Sequence, residues 1–249
     1  IASNLHVGDY LTANGAAAFG GLNPQANGIG SLALGYTPSA GSSFSAAIGY
    51  NATTATGSRA TALTNSRASG TDSFAAAIAN NTSSYGASGA NSVAMGTLAK
   101  ASSTSAICLG MISISSGARA VNFGSYSTAS GSYSAVLSGV SNSVGQNYSV
   151  VLNGAGSVNN IAGKVVWGNH GLTGNEGGMY RFFADTTTAT PEALTTTNTT
   201  AGTNNQIILP NNSAYSFSGT IIAREQASAG SDYASWEIKG ALLRDANAA

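Results

Sequence analysis

Charged side chains are scarce in this sequence. They make up 7% of its 249 residues, whereas an ordinary soluble domain has about 25%. The formal net charge is zero, which excludes the basic footprint of a nucleic-acid-binding protein. A soluble monomer normally needs a charged surface. The composition therefore argues against a monomer and favours an assembly.

Cysteine, histidine and long apolar runs are also rare. The single cysteine, Cys108, excludes an intrachain disulfide framework, and we expect it to behave as a small, alanine-like residue. No apolar run approaches the ~20 residues of a membrane-spanning helix, so we predict no membrane insertion. His6 and His170 are too few for a zinc site within one chain. Three copies of His170 around a threefold axis remain an alternative, but we predict no metal and no cofactor.

Small residues dominate the amino-acid composition, and they recur in a repeat. Ten segments follow one pattern, from GAAAFG at 15–20 to SVVLNG at 149–154. Each segment contains one large apolar residue, here called the anchor. Successive anchors recur at a nearly constant period of about 15 residues, which is the signature of a repeat architecture. The anchors are Phe19, Leu34, Ile48, Leu63, Ile78, Met95, Leu109, Phe123, Leu137 and Leu152.

The pattern inside each segment indicates a β-strand. The anchor and the residue two positions before it share one face, and the small residue between them faces away. A period of about 15 residues is too short for a pair of helices. It fits one coil of a parallel β-solenoid, with two short strands and two tight turns.

The facing of these residues leads to a prediction about assembly. We expect the anchors to fill a narrow core that becomes continuous when the coils stack. The small residues, such as Ala33, Ala47 and Ala94, then form a flat outer row. Packing of this row against copies of the same chain would explain the missing charge, and we expect a homotrimer. A monomeric solenoid with an uncharged surface of small residues is the alternative.

The segments GIGSLALGYTPSA (28–40) and GANSVAMGTLAKA (89–101) resemble the head repeats of YadA-like trimeric autotransporter adhesins. The resemblance covers roughly residues 15–158, and it implies a left-handed parallel β-roll that associates as a trimer. The step from Ile78 to Met95 is longer than the others and predicts a small loop insertion near 81–86. Four coils lack the glycine that follows the anchor, at Thr64, Ala79, Ser138 and Asn153.

The last third of the chain has a different composition. Residues 164–249 hold twelve of the charged side chains and both tryptophans. They also contain alternating apolar and polar residues that predict antiparallel strands. We divide the chain into a lead-in segment (1–14), the β-roll repeats (15–160), a Gly-rich connector or cap (161–178) and a distal antiparallel β module (179–249).

The segment NQIILPNNSAYSFSGTIIARE (205–225), followed by YASWEIKGALLR (233–244), is similar to a module of phage tail-fibre proteins, where it follows YadA-like repeats. This resemblance implies an extracellular fibre on the virion tail. Its partners would be other tail or baseplate proteins and a host-surface receptor, either glycan or protein. Such recognition depends on exposed aromatic side chains, and Trp167, Tyr180 and Tyr233 are our candidates for the receptor surface.

Other functions receive less support from the residues. Positions 1–163 hold only two carboxylates, Asp9 and Asp72, so a paired-carboxylate glycosidase site has no place there, and we expect no enzyme. A regular Thr-x-Thr ladder for ice binding is absent from the repeat. Two alternatives remain: the head of a bacterial cell-surface trimeric adhesin, and a fibre with a self-cleaving C-terminal chaperone or peptidase module.

Overall fold

The structure is a computed structural model that describes residues 15–51, 53–54, 57–76, 84–170, 176–186, 190, 192–209, 211–225 and 232–246. These residues form strands, turns and bends, and none of them forms a helix. The chain divides into two units, Ile1–Gln206 and Ile207–Ala249. The first contains a parallel β-solenoid of about ten coils, and the second contains a two-stranded antiparallel sheet. The predicted all-β fold and the solenoid are confirmed, whereas the lead-in segment 1–14 lies outside the described residues.

The strands of the first unit are short. They are β1 (Ala17–Gly20), β2 (Gln25–Ala26), β3 (Leu32–Gly35), β4 (Ser39–Ala40), β5 (Ala46–Ile48), β6 (Thr53–Thr54), β7 (Thr61–Leu63), β8 (Phe74–Ala76), β9 (Gly86–Ala87), β10 (Val93–Met95), β11 (Lys100–Ala101), β12 (Ile107–Cys108), β13 (Ile114–Ser115), β14 (Val121–Asn122), β15 (Thr128–Ala129), β16 (Ala135–Val136), β17 (Ser143–Val144), β18 (Val150–Val151), β19 (Gly154–Ala155), β20 (Val158–Asn159), β21 (Val165–Trp167), β22 (Asn169–His170) and β23 (Gly177–Met179). The second unit has β24 (Ser213–Arg224) and β25 (Tyr233–Arg244).

Two stacks of strands form the walls of the solenoid. The long sheet has twelve strands in the order β1-β3-β5-β7-β8-β10-β12-β14-β16-β18-β21-β23. A second wall is made by the three-stranded sheet β2-β4-β6 and the six-stranded sheet β20-β17-β15-β13-β11-β9. Pairing along the long sheet is parallel from β1 to β21, and β23 then pairs antiparallel with β21. Each coil therefore adds one strand to the long sheet.

The prediction of which residues fill the core is wrong. The small residues point inward, and Ala33, Ala47 and Ala94 have no exposed surface. The anchors point outward: Met95 is 43% exposed and Phe123 is 46% exposed. The outward or half-buried anchors among the described residues are Phe19, Leu34, Ile48, Leu63, Met95, Leu109, Phe123, Leu137 and Leu152.

The reason for this reversal is the narrow interior of the coil. Two tight turns bring the two walls close together, so that alanine and serine fill most of the space between them. Inward positions of the long sheet are alanine from Ala18 to Ala94, and they become Val136, Val151 and Val166 toward the other end. A leucine or phenylalanine at these positions would overpack the core. The large side chains therefore lie on the outer face of the sheet.

The fifth coil also differs from the prediction. Strand β8 aligns Ala76 with Leu63 and with Met95, the anchors of the neighbouring coils. The predicted anchor Ile78 lies two positions further along the chain, outside the described residues. A shift of two preserves the facing of every side chain, so the alternating pattern did not distinguish the two registers. The extra residues of this coil consequently fall between Ala76 and Gly86.

Each corner within the described residues contains a residue with positive φ. At the corner before each strand of the long sheet, such residues stack from coil to coil, and we call this row the corner ladder. Its members are Phe44, Arg59, Asp72, Asn91, Ser105, Arg119, Tyr133, Tyr148 and Gly163. Each of these residues donates its backbone N–H to a carbonyl of the preceding coil, as Tyr148 does to Ser132 at 3.0 Å. Left-handed backbone is rare for bulky residues. The repeated turn therefore imposes a conformation that the side chains at this corner do not prefer.

Candidate functional site

The outer face of the long sheet is an apolar surface of the solenoid. It carries two outward side chains per coil, for example Ile107 with Leu109 and Val121 with Phe123. We call this surface the outer apolar face. Because parallel strands lie ~4.8 Å apart, the eleven parallel strands extend over about 48 Å. Monomeric proteins rarely expose a continuous apolar patch of this extent.

The opposite wall has a different outer surface. The outward residues of its strands β11, β13, β15, β17 and β20 are Lys100, Ile114, Thr128, Ser143 and Val158, and three of these five are polar. The solenoid thus has one apolar and one more polar outer face, although both walls are built from the same repeat. This asymmetry makes the outer apolar face the candidate contact surface.

Two of the predicted receptor residues lie at the end of the solenoid. Trp167 takes the anchor position of the last coil and is 41% exposed. Its indole lies on Gly177 of β23, since a Cβ at that glycine would come within 2.7 Å of Nε1. Tyr180 is half-buried and stacks on Phe182 with ring centroids 5.4 Å apart, and its own centroid lies 5.2 Å from the Lys164 ammonium. Neither ring therefore projects freely from the chain.

The third predicted receptor residue belongs to the hairpin of the second unit. Tyr233 is 77% exposed at the start of β25, opposite Arg224. The hairpin has an apolar face, because residues that alternate along each strand point to the same side. That face carries Tyr215, Phe217, Gly219, Ile221 and Ala223 from β24, with Ala234, Trp236, Ile238, Gly240 and Leu242 from β25.

Stacked aromatic residues at the corners were not predicted from the sequence. Tyr36 and Tyr50 stack with centroids 5.3 Å apart, and Tyr133 and Tyr148 stack with centroids 5.2 Å apart. All four rings are 45% to 65% exposed. The available signal was that the two tyrosines of each pair lie one repeat period apart in the sequence. Parallel coils place residues one period apart directly above each other.

Of the residues considered for chemistry, the structure describes the side chains of Cys108 and Asp72. Cys108 is fully buried, and burial raises the pKa of its thiol, against the opposing effect of backbone hydrogen bonds. The side chain of His170 lies outside what the structure describes. Among the described residues, no group of three or more His, Cys, Asp or Glu side chains could hold a metal ion. The described part of the chain also contains no helix long and apolar enough to cross a membrane.

No protein-family model matches the sequence, and a search of curated proteins finds no significant match. The surfaces of the solenoid and the hairpin are therefore the basis of the functional argument.

Proposed function

We propose that this chain is part of a homotrimeric fibre in which the outer apolar faces of three solenoids pack against one another. The observation that carries the proposal is the row of outward-facing anchors on the long sheet, of which Leu109 and Leu152 are 42% and 40% exposed. A partner with the same repeat offers a matching apolar residue at every coil. A second and third copy of the chain meet this condition over the full length of the face.

The number of copies and the left hand of the coils come from the resemblance to YadA-like heads. The joint resemblance to phage tail-fibre modules favours a place on the virion tail, outside the cell, with tail or baseplate proteins as further partners. A stack of hydrogen-bonded coils is stiff along its axis. Three identical chains would bind a host-surface receptor multivalently, so that weak single sites add up without catalysis.

The mass of the full chain in solution tests the assembly. We expect light scattering to give about three times the chain mass of 24.5 kDa. The substitution Phe123→Asp places a charge on the outer apolar face and leaves the core unchanged. Since burying an unpaired charge costs several kcal/mol, this variant should shift toward monomer.

Thr128→Asp is the matched control, because Thr128 faces outward from the opposite wall of the adjoining half-coil. It should keep the wild-type mass. Circular dichroism establishes that both variants retain β-structure. A wild-type chain that stays monomeric at all concentrations, or equal dissociation of both variants, would contradict the proposal.

A further inference from the structure

The corner ladder contains a stack of three side chains in successive coils. The guanidinium of Arg119 lies 5.2 Å from the ring centroid of Tyr133 and donates a hydrogen bond of 2.7 Å to its hydroxyl. The other side of the Tyr133 ring faces Tyr148, at 5.2 Å and an interplanar angle of 12°. We call these residues the corner stack. A cation–π contact between Arg119 and Tyr133 holds one end of the stack, and Tyr148 forms the other end.

The next position of the corner ladder carries no side chain. Gly163 occupies it, and its backbone N–H continues the ladder by bonding to Asn147 O at 3.1 Å. A Cβ placed on Gly163 would meet no heavy atom within 4 Å. The outer face of Tyr148 is therefore open, in agreement with its 65% exposure.

A polar loop borders this space. The carbonyl of Asn204 accepts a hydrogen bond from Ala162 N at 2.9 Å, directly beside Gly163. The loop is held by Asn205, which is 7% exposed. Its amide nitrogen donates to Thr197 Oγ1, Thr199 Oγ1 and the Thr200 carbonyl, each at 3.1 Å. The loop therefore lies beside Ala162 and Gly163, and bonds within the loop hold its hydroxyl and amide groups in place.

We propose that the face of Tyr148 above Gly163 binds one pyranose ring of a neutral surface glycan. A pyranose has an apolar C–H face that packs flat on an aromatic ring, and its hydroxyls need polar partners at the edge. The centroids of Tyr133 and Tyr148 lie 5.2 Å apart, and a sugar ring on the open face of Tyr148 would extend this stack at a similar spacing.

This inference rests on the proposed recognition role for the source of the glycan, a cell surface. It deepens that role by naming the ligand class and by placing the contact on the flank of the solenoid. Trp167, Tyr180 and Tyr233 are not needed for it. The stacked rings of the other corner, Tyr36 and Tyr50, provide a comparison, because they are similarly exposed but belong to a different edge.

The test uses the full chain and a glycan array of neutral, amino and acidic oligosaccharides. The neutral oligosaccharide with the strongest signal is then titrated calorimetrically. We expect Tyr148→Ala to weaken its binding by about tenfold or more, as loss of one aromatic contact predicts. Tyr148→Phe keeps the ring and should stay within about threefold. Gly163→Tyr fills the open position at a corner where Tyr133 and Tyr148 already have the required φ, and it should abolish binding.

Tyr36→Ala is the control and should leave the affinity unchanged. The inference is overturned if no neutral oligosaccharide on the array binds, or if Tyr36→Ala and Tyr148→Ala weaken binding equally. It is also overturned if Tyr148→Ala dissociates the assembly, since Tyr148 would then lie at a chain contact. The mass of the same samples separates the two proposals. A trimer that binds no neutral oligosaccharide would contradict only the glycan site. A monomer whose binding depends on Tyr148 would contradict only the trimeric fibre.

Discussion

Lys164 illustrates how one residue changes the last coil. It occupies the inward position that Ser134 and Ser149 hold in the two preceding coils, and it is 6% exposed. Its ammonium bonds the carboxylate of Glu176 and contacts Tyr180. Burial lowers the pKa of Lys164, but the hydrogen bonds and charge interactions with Glu176 and Tyr180 outweigh burial and raise it overall. The charged lysine thus ties the segment before β23 to the final coil.

We predict that Lys164→Met destabilises the solenoid by about 3 kcal/mol, because it leaves the half-buried carboxylate of Glu176 without a partner. The double variant Lys164→Met/Glu176→Gln should recover most of this loss. Urea denaturation measures both, and Lys239→Met, at an exposed hairpin position, is the control. Equal stability of the single and double variants would show that the pair is not coupled.

The pH dependence of this contribution follows from the sign of the pKa shift. A lysine whose pKa is raised in the folded state binds its proton more tightly there than in the unfolded chain. Its stabilisation is fully present below the ordinary pKa of 10.5 and is lost as the pH rises through the raised value. The stability difference between wild type and Lys164→Met should therefore stay constant from about pH 7 to 9.5 and fall only in stronger alkali. A fall already near pH 8 would contradict the assignment.

At the scale of the element, the corners determine how closely the coils stack. Gly117 lies at a corner where a Cβ would come within 2.0 Å of the carbonyl oxygen of Gly131 in the next coil. Backbone approaches of this kind tolerate only glycine. Gly145 lies at a corner further along, and a Cβ there would meet nothing within 4 Å.

We predict opposite outcomes for alanine at these two glycines. Gly117→Ala should cost at least about 2 kcal/mol, because the coils must separate to admit the methyl group. Gly145→Ala should be neutral or stabilising by up to about 1 kcal/mol, since it restricts the unfolded chain without a clash. Thermal unfolding of the two variants beside wild type measures the difference. Similar losses for both would mean that coil spacing does not limit the corner.

At the scale of the whole molecule, the two units differ in how their strands are supported. Every strand from β3 to β18 in the long sheet has a neighbour on both sides, and its inward residues lie in the core. Within the described part of the chain, β24 and β25 pair only with each other, and Ile222 and Leu243 are 72% and 73% exposed. A two-stranded hairpin without further packing is marginally stable.

We therefore predict that the hairpin opens independently of the solenoid in the dissociated chain. Hydrogen exchange of the Phe123→Asp variant should show amides of β24 and β25 exchanging at least about a hundredfold faster than those of β12 to β18. The solenoid peptides serve as the internal reference. Equal protection of the hairpin and the solenoid would contradict this prediction and indicate that the hairpin is packed within the single chain.

The all-β class, the solenoid and the length of its coil could be predicted from the order of residues alone. Anchors that recur at a nearly constant period of about 15 residues, with a spacing of two inside each segment, indicate a solenoid of short strands. These properties depend on local alternation and on chain length per coil, and both are visible in the order of residues.

Which face of each strand lies inside depends on the packing of the folded chain. Alternation places Ala94 and Met95 on opposite faces, but only the distance between the two walls determines that alanine fits the interior and methionine does not. The same limit applies to β8, where a shift of two positions leaves the pattern intact while Ala76 replaces Ile78 at the anchor position. The corner stack likewise arises because successive coils bring Tyr133 and Tyr148 into contact although they are distant in the sequence. Separation between walls and contact between coils are properties of the folded chain, so a one-dimensional pattern does not contain them.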